Sequence, residues 1–577
     1  MKDTLEKLIR DALLEQGISQ AELETISIEH PGEMKNGDYA TNAALVYGKR
    51  NKKNPVELAV ALAAYIDAHK PAEVTKVEVA GPGFINFYLS PDYFAGCIQH
   101  VLDAGEKYGR TVQNLGKKTM VEYTDPNPFK IFHIGHLMSN TIGEAISRLI
   151  EWNGAEVKRA NYQGDVGRHV ALTIWGIRFL AEKGEQFPDE SMPLLQRIEY
   201  LGRAYATGAT KFKDNEAEYM PVVQEINKKI YEKSDEEINM LYSRGREWSL
   251  EYFETIYDRL GTKFDFYFFE SDVSEDGIAI VKDFLKQGIF EESDGAIVFK
   301  AEKYDPKLHT RVFLNSQGLP TYEAKELGLN TKKFALYPFD LSIIITGNEV
   351  DDYFRVLLKA LELTFPEVAE KTKHISHGMM RLPSGKMSSR TGDVISAESL
   401  LQKVQELVLE KMADREIGAE EKQKISEEVA IAALKYAILK QAPGRDIIFD
   451  FEKSLSFEGD SGPYLQYAHT RALSVLAKAE KEGITPTVGT ITSAATVEKL
   501  ISRLPDIVER AGRDLAPQLI VTYLIELASA FNSLYAEEKI VDAKSAESPH
   551  RVALTKAFAT TLKNGLSILG IKVPEKM

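Results

Sequence analysis

The chain is almost without cysteine. Among 577 residues only Cys97 is present, which excludes an internal disulfide and any zinc site built on several thiolates. Its apolar setting, FAGCIQHV, predicts a buried thiol. Long apolar runs are missing as well: no uninterrupted stretch approaches the ~20 residues that cross a bilayer. The opening MKDTLEKLIRDALLEQG reads as a charged amphipathic helix without the apolar centre of a secretory signal, so a cytoplasmic protein with no membrane partner is expected. Positive charge is in deficit, 71 Lys and Arg against 86 Asp and Glu, a formal net charge of −15. That balance argues against indiscriminate attraction to nucleic acid and leaves only local patches for a specific RNA partner. Lys49-Arg50-Asn51-Lys52-Lys53 is the clearest such run and reads equally as a solvated helix end. Internal repeats, low-complexity tracts and the Walker spacing of a P-loop are also absent.

What is present is a chain long enough for several cores, organised around Val121 to Asn140, VEYTDPNPFKIFHIGHLMSN. A short apolar run ends at Tyr123, and Pro126 and Pro128 forbid regular structure after it. Apolar residues then recur at Leu137, Met138, Ile142, Ala145, Ile146, Leu149 and Ile150 with helical spacing up to Asn153-Gly154. His133 and His136 therefore stand at a helix mouth, where unpaired N–H groups and the positive dipole end favour phosphate oxygens. Gly135 between them lets a flat ring lie against bare backbone. Far downstream, Leu382 to Gly392 (LPSGKMSSRTG) forms a small-residue loop that carries Lys386, Ser388 and Ser389 and can fold over a triphosphate.

In chain order, residues 1–110 read as an α/β module with helices at the start and across Pro55 to His69, and strands at Val77–Ala80 and Phe84–Leu89 around a Gly81-Pro82-Gly83 turn. Residues 118–395 read as a Rossmann-type parallel-sheet domain, with strands near 121, 157–165, 264–270 and 341–346. Insertions of about 172–262, helical, and 275–310 interrupt it. From 420 to 577 helical periodicity dominates, so the fold class is multidomain, α/β followed by an all-α bundle.

Together, His133-Ile134-Gly135-His136 and Lys386-Met387-Ser388-Ser389 resemble the paired HIGH and KMSKS motifs of class I aminoacyl-tRNA synthetases. GDYATNAALVYGK, VAGPGFINFYLS, EYTDPN, FYFFES, PTYEAKELG, GPYLQYAHTR and LKNGLSILGIKVPEKM extend the resemblance over nearly the whole chain, specifically to arginyl-tRNA synthetases. The resemblance implies ligation of L-arginine to tRNA(Arg) through an arginyl-adenylate, with ATP and its Mg2+ as co-substrate, no zinc, and a monomeric enzyme. His133, His136 and Lys386 are the implied catalytic residues, with Gly135, Ser388 and Ser389 also on ATP. Glu122 and Asn127 match residues that hold the α-amino end of arginine, and Glu270, Tyr322 and Glu326 those that hold its guanidinium. Two acids and an aromatic face suit a planar fork of donors. Phe84, Asn86, Tyr467, Tyr535 and Met577 match tRNA-contacting positions, the last three in the anticodon-binding bundle; for Tyr535 core packing is the expected alternative. Three departures stand out: Glu326 replaces the usual Asp, Val350 the usual Gln, and Ser389-Arg390 the Lys-Ser ending of KMSKS.

Other readings are another class I synthetase or a synthetase paralogue, a pantothenate-synthetase-like ligase sharing the histidine chemistry, and a non-enzymatic RNA-binding protein. The last keeps the bundle but needs neither motif.

Overall fold

A computed structural model describes residues 1–23, 26–383 and 396–577. It resolves into two compact units. The first comprises Met1–Tyr108, Arg471–Pro505 and Glu526–Asn564, and the second Gly109–Thr470, Asp506–Ile525 and Gly565–Met577.

In the first unit the helix Lys2–Glu15 buries Leu5, Ile9, Ala12 and Leu13, one stripe at helical spacing. The helix Pro55–His69 starts where the Asn54 side chain accepts from the backbone N–H groups of Val56 and Glu57, with proline at its first position. These helices accompany an antiparallel sheet ordered Ile28–Glu29, Tyr39–Thr41, Phe84–Leu89, Val74–Ala80. The turn between its last two strands needs left-handed backbone at Gly81 and Gly83, with φ of 54° and 129°. The basic run closes the helix Ala43–Arg50 with all four of its charges exposed, the solvated-end reading. Cys97 is only partly buried, because Phe94, Ala95, Ile98 and Val101 form the inward stripe of its helix and leave the thiol at the stripe's edge. Within this unit the Asn564 amide donates to the carbonyls of Gly105 and Tyr108, at 3.0 and 2.9 Å. Lys499 pairs with the buried Asp38 at 2.8 Å.

One helix, Gln518–Glu537, has the length and mean hydropathy of a membrane span, although Thr522 and Glu526 interrupt it. Its Ile520, Leu524, Leu527 and Phe531 are buried side chains, so its apolar character serves protein packing.

The second unit is built on a five-stranded sheet, all parallel, ordered Thr372–His377, Leu341–Gly347, Lys118–Glu122, Glu156–Gln163, Phe266–Phe269. The chain starts in the middle, steps twice to one side, and then crosses to the other. The switch point lies between Lys118–Glu122 and Leu341–Gly347, and in such sheets ligands bind at the carboxyl ends of the strands flanking that point. The strand expected over 264–270 is shorter, because Glu270 already begins the helix Glu270–Lys286. Four helices fill the long interruption: Arg168–Glu182, Leu194–Asp214, Glu216–Glu232 and Glu236–Leu260. The shorter interruption contains the strands Glu291–Ser293 and Ala296–Phe299, and Arg311–Leu314 just beyond its expected end completes a three-stranded antiparallel sheet with them. Helices follow, Ala397–Lys411 and then Ala419–Leu439.

Two helices that carry site residues, Glu270–Lys286 and Tyr322–Leu336, touch backbone to backbone. A Cβ on Gly277 would lie 2.2 Å from the Ala324 carbonyl oxygen, and one on Gly328 2.7 Å from that of Val273. Neither contact tolerates a side chain. Gly277→Ala is therefore expected to push the helices apart at a cost of about 1–3 kcal/mol, read as a lower urea midpoint with an unchanged m-value.

Candidate active site

The carboxyl ends of the parallel strands and the segments just beyond them line one cavity of about 500 Å3. Glu122 ends the first strand; Tyr162 and Gly164 come from the end of the second, Glu270 from just beyond Phe266–Phe269, Thr346 and Gly347 from Leu341–Gly347, and His377 from the last. Tyr322, Glu323 and Glu326 enter from the first turns of Tyr322–Leu336, and Arg311 from the small sheet. The cavity thus collects Glu122, Asn127, His133, Gly135, His136, Glu270, Tyr322 and Glu326, all the described residues that the sequence assigned to ATP and arginine. Lys386, Ser388 and Ser389 lie outside the described residues. The chain just beyond them is pinned to the histidine motif: Ser396 bridges His133 and the Ala397 N–H donates to the Phe132 carbonyl at 2.9 Å.

The loop between Lys118–Glu122 and the helix Ile134–Trp152 is strained. Thr124, Asp125 and Phe129 have φ of 82°, 46° and 69°, conformations that cost non-glycine residues free energy and persist only when the surroundings enforce them. The Thr124 N–H donates to Ser139 Oγ at 2.9 Å, and the Phe129 N–H to Ser249 Oγ at 2.9 Å. Asp125 Oδ1 accepts from the Tyr162 N–H at 2.8 Å.

His133 caps the helix, its Nδ1 accepting from the Gly135 N–H at 3.1 Å, and His136 Nδ1 accepts from the His133 N–H at 3.2 Å. The rings stack with centroids 3.6 Å apart. Because both Nδ1 atoms accept, the ring protons sit on Nε2 and each imidazole is a neutral donor. Burial, with Lys130 nearby, lowers His133 to about 4; burial and the adjacent His133 hold His136 well below the ordinary value. In the free protein both rings are oriented hydrogen-bond donors, because burial beside Lys130 disfavours imidazolium.

Six carboxylates line the cavity, Glu122, Asp125, Glu270, Glu323, Glu326 and Glu349, and most carry a partner. Lys333 Nζ reaches Glu122 Oε2 at 2.7 Å, both groups fully buried. Lys325 pairs with the buried Glu270, and Arg311 with Glu323 at 3.3 Å. Gly164 makes room for this side of the cavity, since a Cβ there would lie 2.3 Å from Asn127 Oδ1 and 3.2 Å from Glu270 Oε1. Burial raises Glu270, opposed by Lys325. Asp125 and Glu326 rise further, through burial and then the charge of Glu122, Glu326 to about 8. Glu326 is thus largely protonated at neutral pH in the free protein.

The other assigned residues fall into different places. Tyr322 is 62% exposed at the cavity rim. In the first unit, Phe84 (41% exposed) and buried Asn86 share a hollow of about 480 Å3 with His30 and Asn42. Tyr535 is 44% exposed with the Arg471 guanidinium 5.0 Å above its ring; core packing was the expectation, but its face of the helix turns outward. In the second unit, Tyr467 is partly buried beside Phe457, ring centroids 6.2 Å apart, and Met577 is partly buried. Sequence reasoning missed Asp125, Tyr162, Arg311, Tyr353 and His377 on the cavity wall, and Lys325 and Lys333 behind it. Proximity to TDPN and to the NYQGD strand end could have flagged Asp125 and Tyr162. Nothing in an isolated sequence marks a lysine as buried.

Comparison with known proteins was made with this geometry in hand. The family model described as tRNA synthetases class I (R), catalytic domain, matches residues 97–451. Models for an arginyl tRNA synthetase N terminal domain and a DALR anticodon binding domain match residues 3–89 and 465–577. The chain is 32% identical to an arginine–tRNA ligase of Clostridium perfringens over 96% of this chain and 97% of that protein. It is also 32% identical to one from Halothermothrix orenii over the whole of both. Among solved structures, Thermus thermophilus arginyl-tRNA synthetase superposes with a TM-score of 0.82 at 24% identity, covering all of both chains. The Plasmodium falciparum enzyme gives 0.78 at 19%, covering 100% of this chain and 99% of that one; these two likenesses concern the fold.

Two consequences follow from the acids. Lys333→Met leaves Glu122 buried without a countercharge and should cost about 3–5 kcal/mol of stability, measured by urea unfolding. Glu326 rises from 4.5 to about 8 on folding, so the folded chain keeps a proton that the unfolded chain releases between those values. Its favourable share of stability is present at low pH and lost as pH rises through about 8. Glu326→Gln should gain on the wild type between pH 5 and 8, by at most about 1.4 kcal/mol per pH unit; a constant difference across that range would refute the assignment.

Proposed function

Because the chain belongs to the arginyl-tRNA synthetase family, enzymes that join arginine to its tRNA at the expense of ATP, we propose that the cavity at the sheet's switch point is where arginine and ATP meet. The observation that carries this reading is the convergence, at the carboxyl ends of five parallel strands, of an acid-rich wall with two neutral imidazole donors. A substrate with a cationic group at each end suits the acids, and a triphosphate suits the helix mouth.

In this reading Glu270, Glu326 and Tyr322 receive the guanidinium, while Glu122 and Asn127 hold the α-amino end. Val350 lines the cavity where the family commonly has Gln and offers no side-chain polar atom, so the ammonium relies on Glu122 and Asn127. An arginine carboxylate oxygen attacks the α-phosphorus of ATP, the bond to the pyrophosphate oxygen breaks, and pyrophosphate leaves. Charge on the five-coordinate phosphorus meets the Nε2–H groups of His133 and His136, whose orientation is already set by their Nδ1 bonds. Lys386, with Ser388 and Ser389, supplies the cation that the histidines do not. A ribose hydroxyl of the terminal tRNA nucleotide then attacks the activated carbonyl and AMP departs. Magnesium enters with ATP as its counter-ion; among the described residues no group of three or more His, Cys, Asp or Glu is arranged to hold a metal.

The tRNA is held by residues 1–110, through Phe84 and Asn86, and by the bundle 420–577, through Tyr467, Tyr535 and Met577. Exposed aromatics such as Phe84 and Tyr535 suit stacking on unpaired bases. The catalytic domain spans 118–395. The working enzyme is a monomer in the cytoplasm, without zinc or membrane association.

The test is amino-acid-dependent ATP–pyrophosphate exchange with each of the twenty amino acids, tRNA present. Arginine should be preferred, and another preferred amino acid would end the arginine reading. His136→Ala should lower kcat roughly 100-fold or more while the protein stays folded. Glu326→Gln should raise the KM for arginine by the equivalent of about 1.5–3 kcal/mol. Because arginine would draw Glu326 into its ionised form, calorimetry at pH 7 in buffers of different ionisation enthalpy should detect proton release on binding; none would contradict the placement of the guanidinium.

A further inference from the structure

Tyr162 ends the strand Glu156–Gln163 in the floor of the cavity and is 9% exposed. Its backbone N–H is committed to Asp125, but its hydroxyl is buried with no hydrogen-bond partner among the described residues. Such an orphan is costly, since the hydroxyl has lost water and gained no protein partner, and this one belongs to a residue that lines the cavity. The surroundings say what that partner is. Glu270, Glu326 and Glu122 are the carboxyl groups that share the cavity with the phenol, and Tyr353 is the other phenol there. A guanidinium brings five N–H donors, more than the carboxylates of Glu270 and Glu326 can take in one plane. Lys325 already occupies one oxygen of Glu270, and an Asn330 N–H lies 3.4 Å from one of Glu326.

Resting on the placement of arginine above, we propose that the Tyr162 hydroxyl is a direct ligand of the substrate, accepting a hydrogen bond from a guanidinium N–H between Glu270 and Glu326. A neutral acceptor there adds recognition of the fork's geometry without adding charge to a wall that already needs internal lysines. It also gives the chain a polar contact with arginine beyond those the family pattern assigned.

Tyr162→Phe keeps the ring and removes only the hydroxyl. In exchange assays with tRNA, the KM for arginine should rise about five- to twentyfold, with kcat and the KM for ATP within about twofold of wild type. The free variant should melt at the same temperature or higher, having lost an unpaired polar atom, while the upward shift that saturating arginine produces should shrink. An unchanged KM in Tyr162→Phe, with Glu270→Gln and Glu326→Gln both raising it, overturns the tyrosine assignment alone. Unchanged KM in all three folded variants overturns the placement of arginine itself. A fall in kcat at constant KM, or a lower melting temperature with proportionate loss of all activity, makes the residue structural and also overturns the proposal.

Discussion

Carboxylates cannot be buried together along one cavity wall without countercharge, and one helix supplies most of it here. Tyr322–Leu336 brings Lys325 to Glu270 and Lys333 to Glu122 while presenting Glu323 and Glu326 to the same space. Each lysine is buried almost completely, and each would be prohibitive alone. The remaining burden falls on Asp125 and Glu326, whose pKa values are raised by burial first and then by the charge of Glu122. The charges of the free site are therefore largely offset by its own lysines and by Arg311.

That electrostatic arrangement depends on backbone spacing. The Glu270–Lys286 and Tyr322–Leu336 helices meet at Gly277 and Gly328, and one methyl group there would carry Lys325 away from Glu270. Gly164 does the same at the strand end, letting Asn127 and Glu270 converge. The parallel sheet sets the larger frame, because its switch point opens a crevice at the strand ends and the strained Thr124–Phe129 turn leads from one of those ends to the histidine motif on the cavity wall.

The histidines act within this frame as fixed dipoles. Their Nδ1 atoms are spent on backbone N–H groups, and burial beside Lys130 denies them charge. Ser396 is anchored against His133 at the same helix mouth. Preoriented donors that need no reorganisation are an efficient form of transition-state stabilisation.

Sequence by itself determined what depends on local pattern. Helical spacing after Gly135 placed the helix Ile134–Trp152, proline and glycine placed its approach, and alternation of apolar runs with helices marked a parallel sheet. The motif pair pointed to one site, and the described members of that set do line one cavity. Tertiary structure alone decided which charges survive there. Lys325 and Lys333 look like any solvated helix lysine until a fold buries them, and the pKa of Glu326 is raised by burial and then by Glu122, 204 residues away in the chain. The same holds for the neutrality of His133 and His136, the outward face of Tyr535, and the orphaned hydroxyl of Tyr162. Desolvation and charge coupling act through space, so their magnitude cannot be read from spacing along the chain.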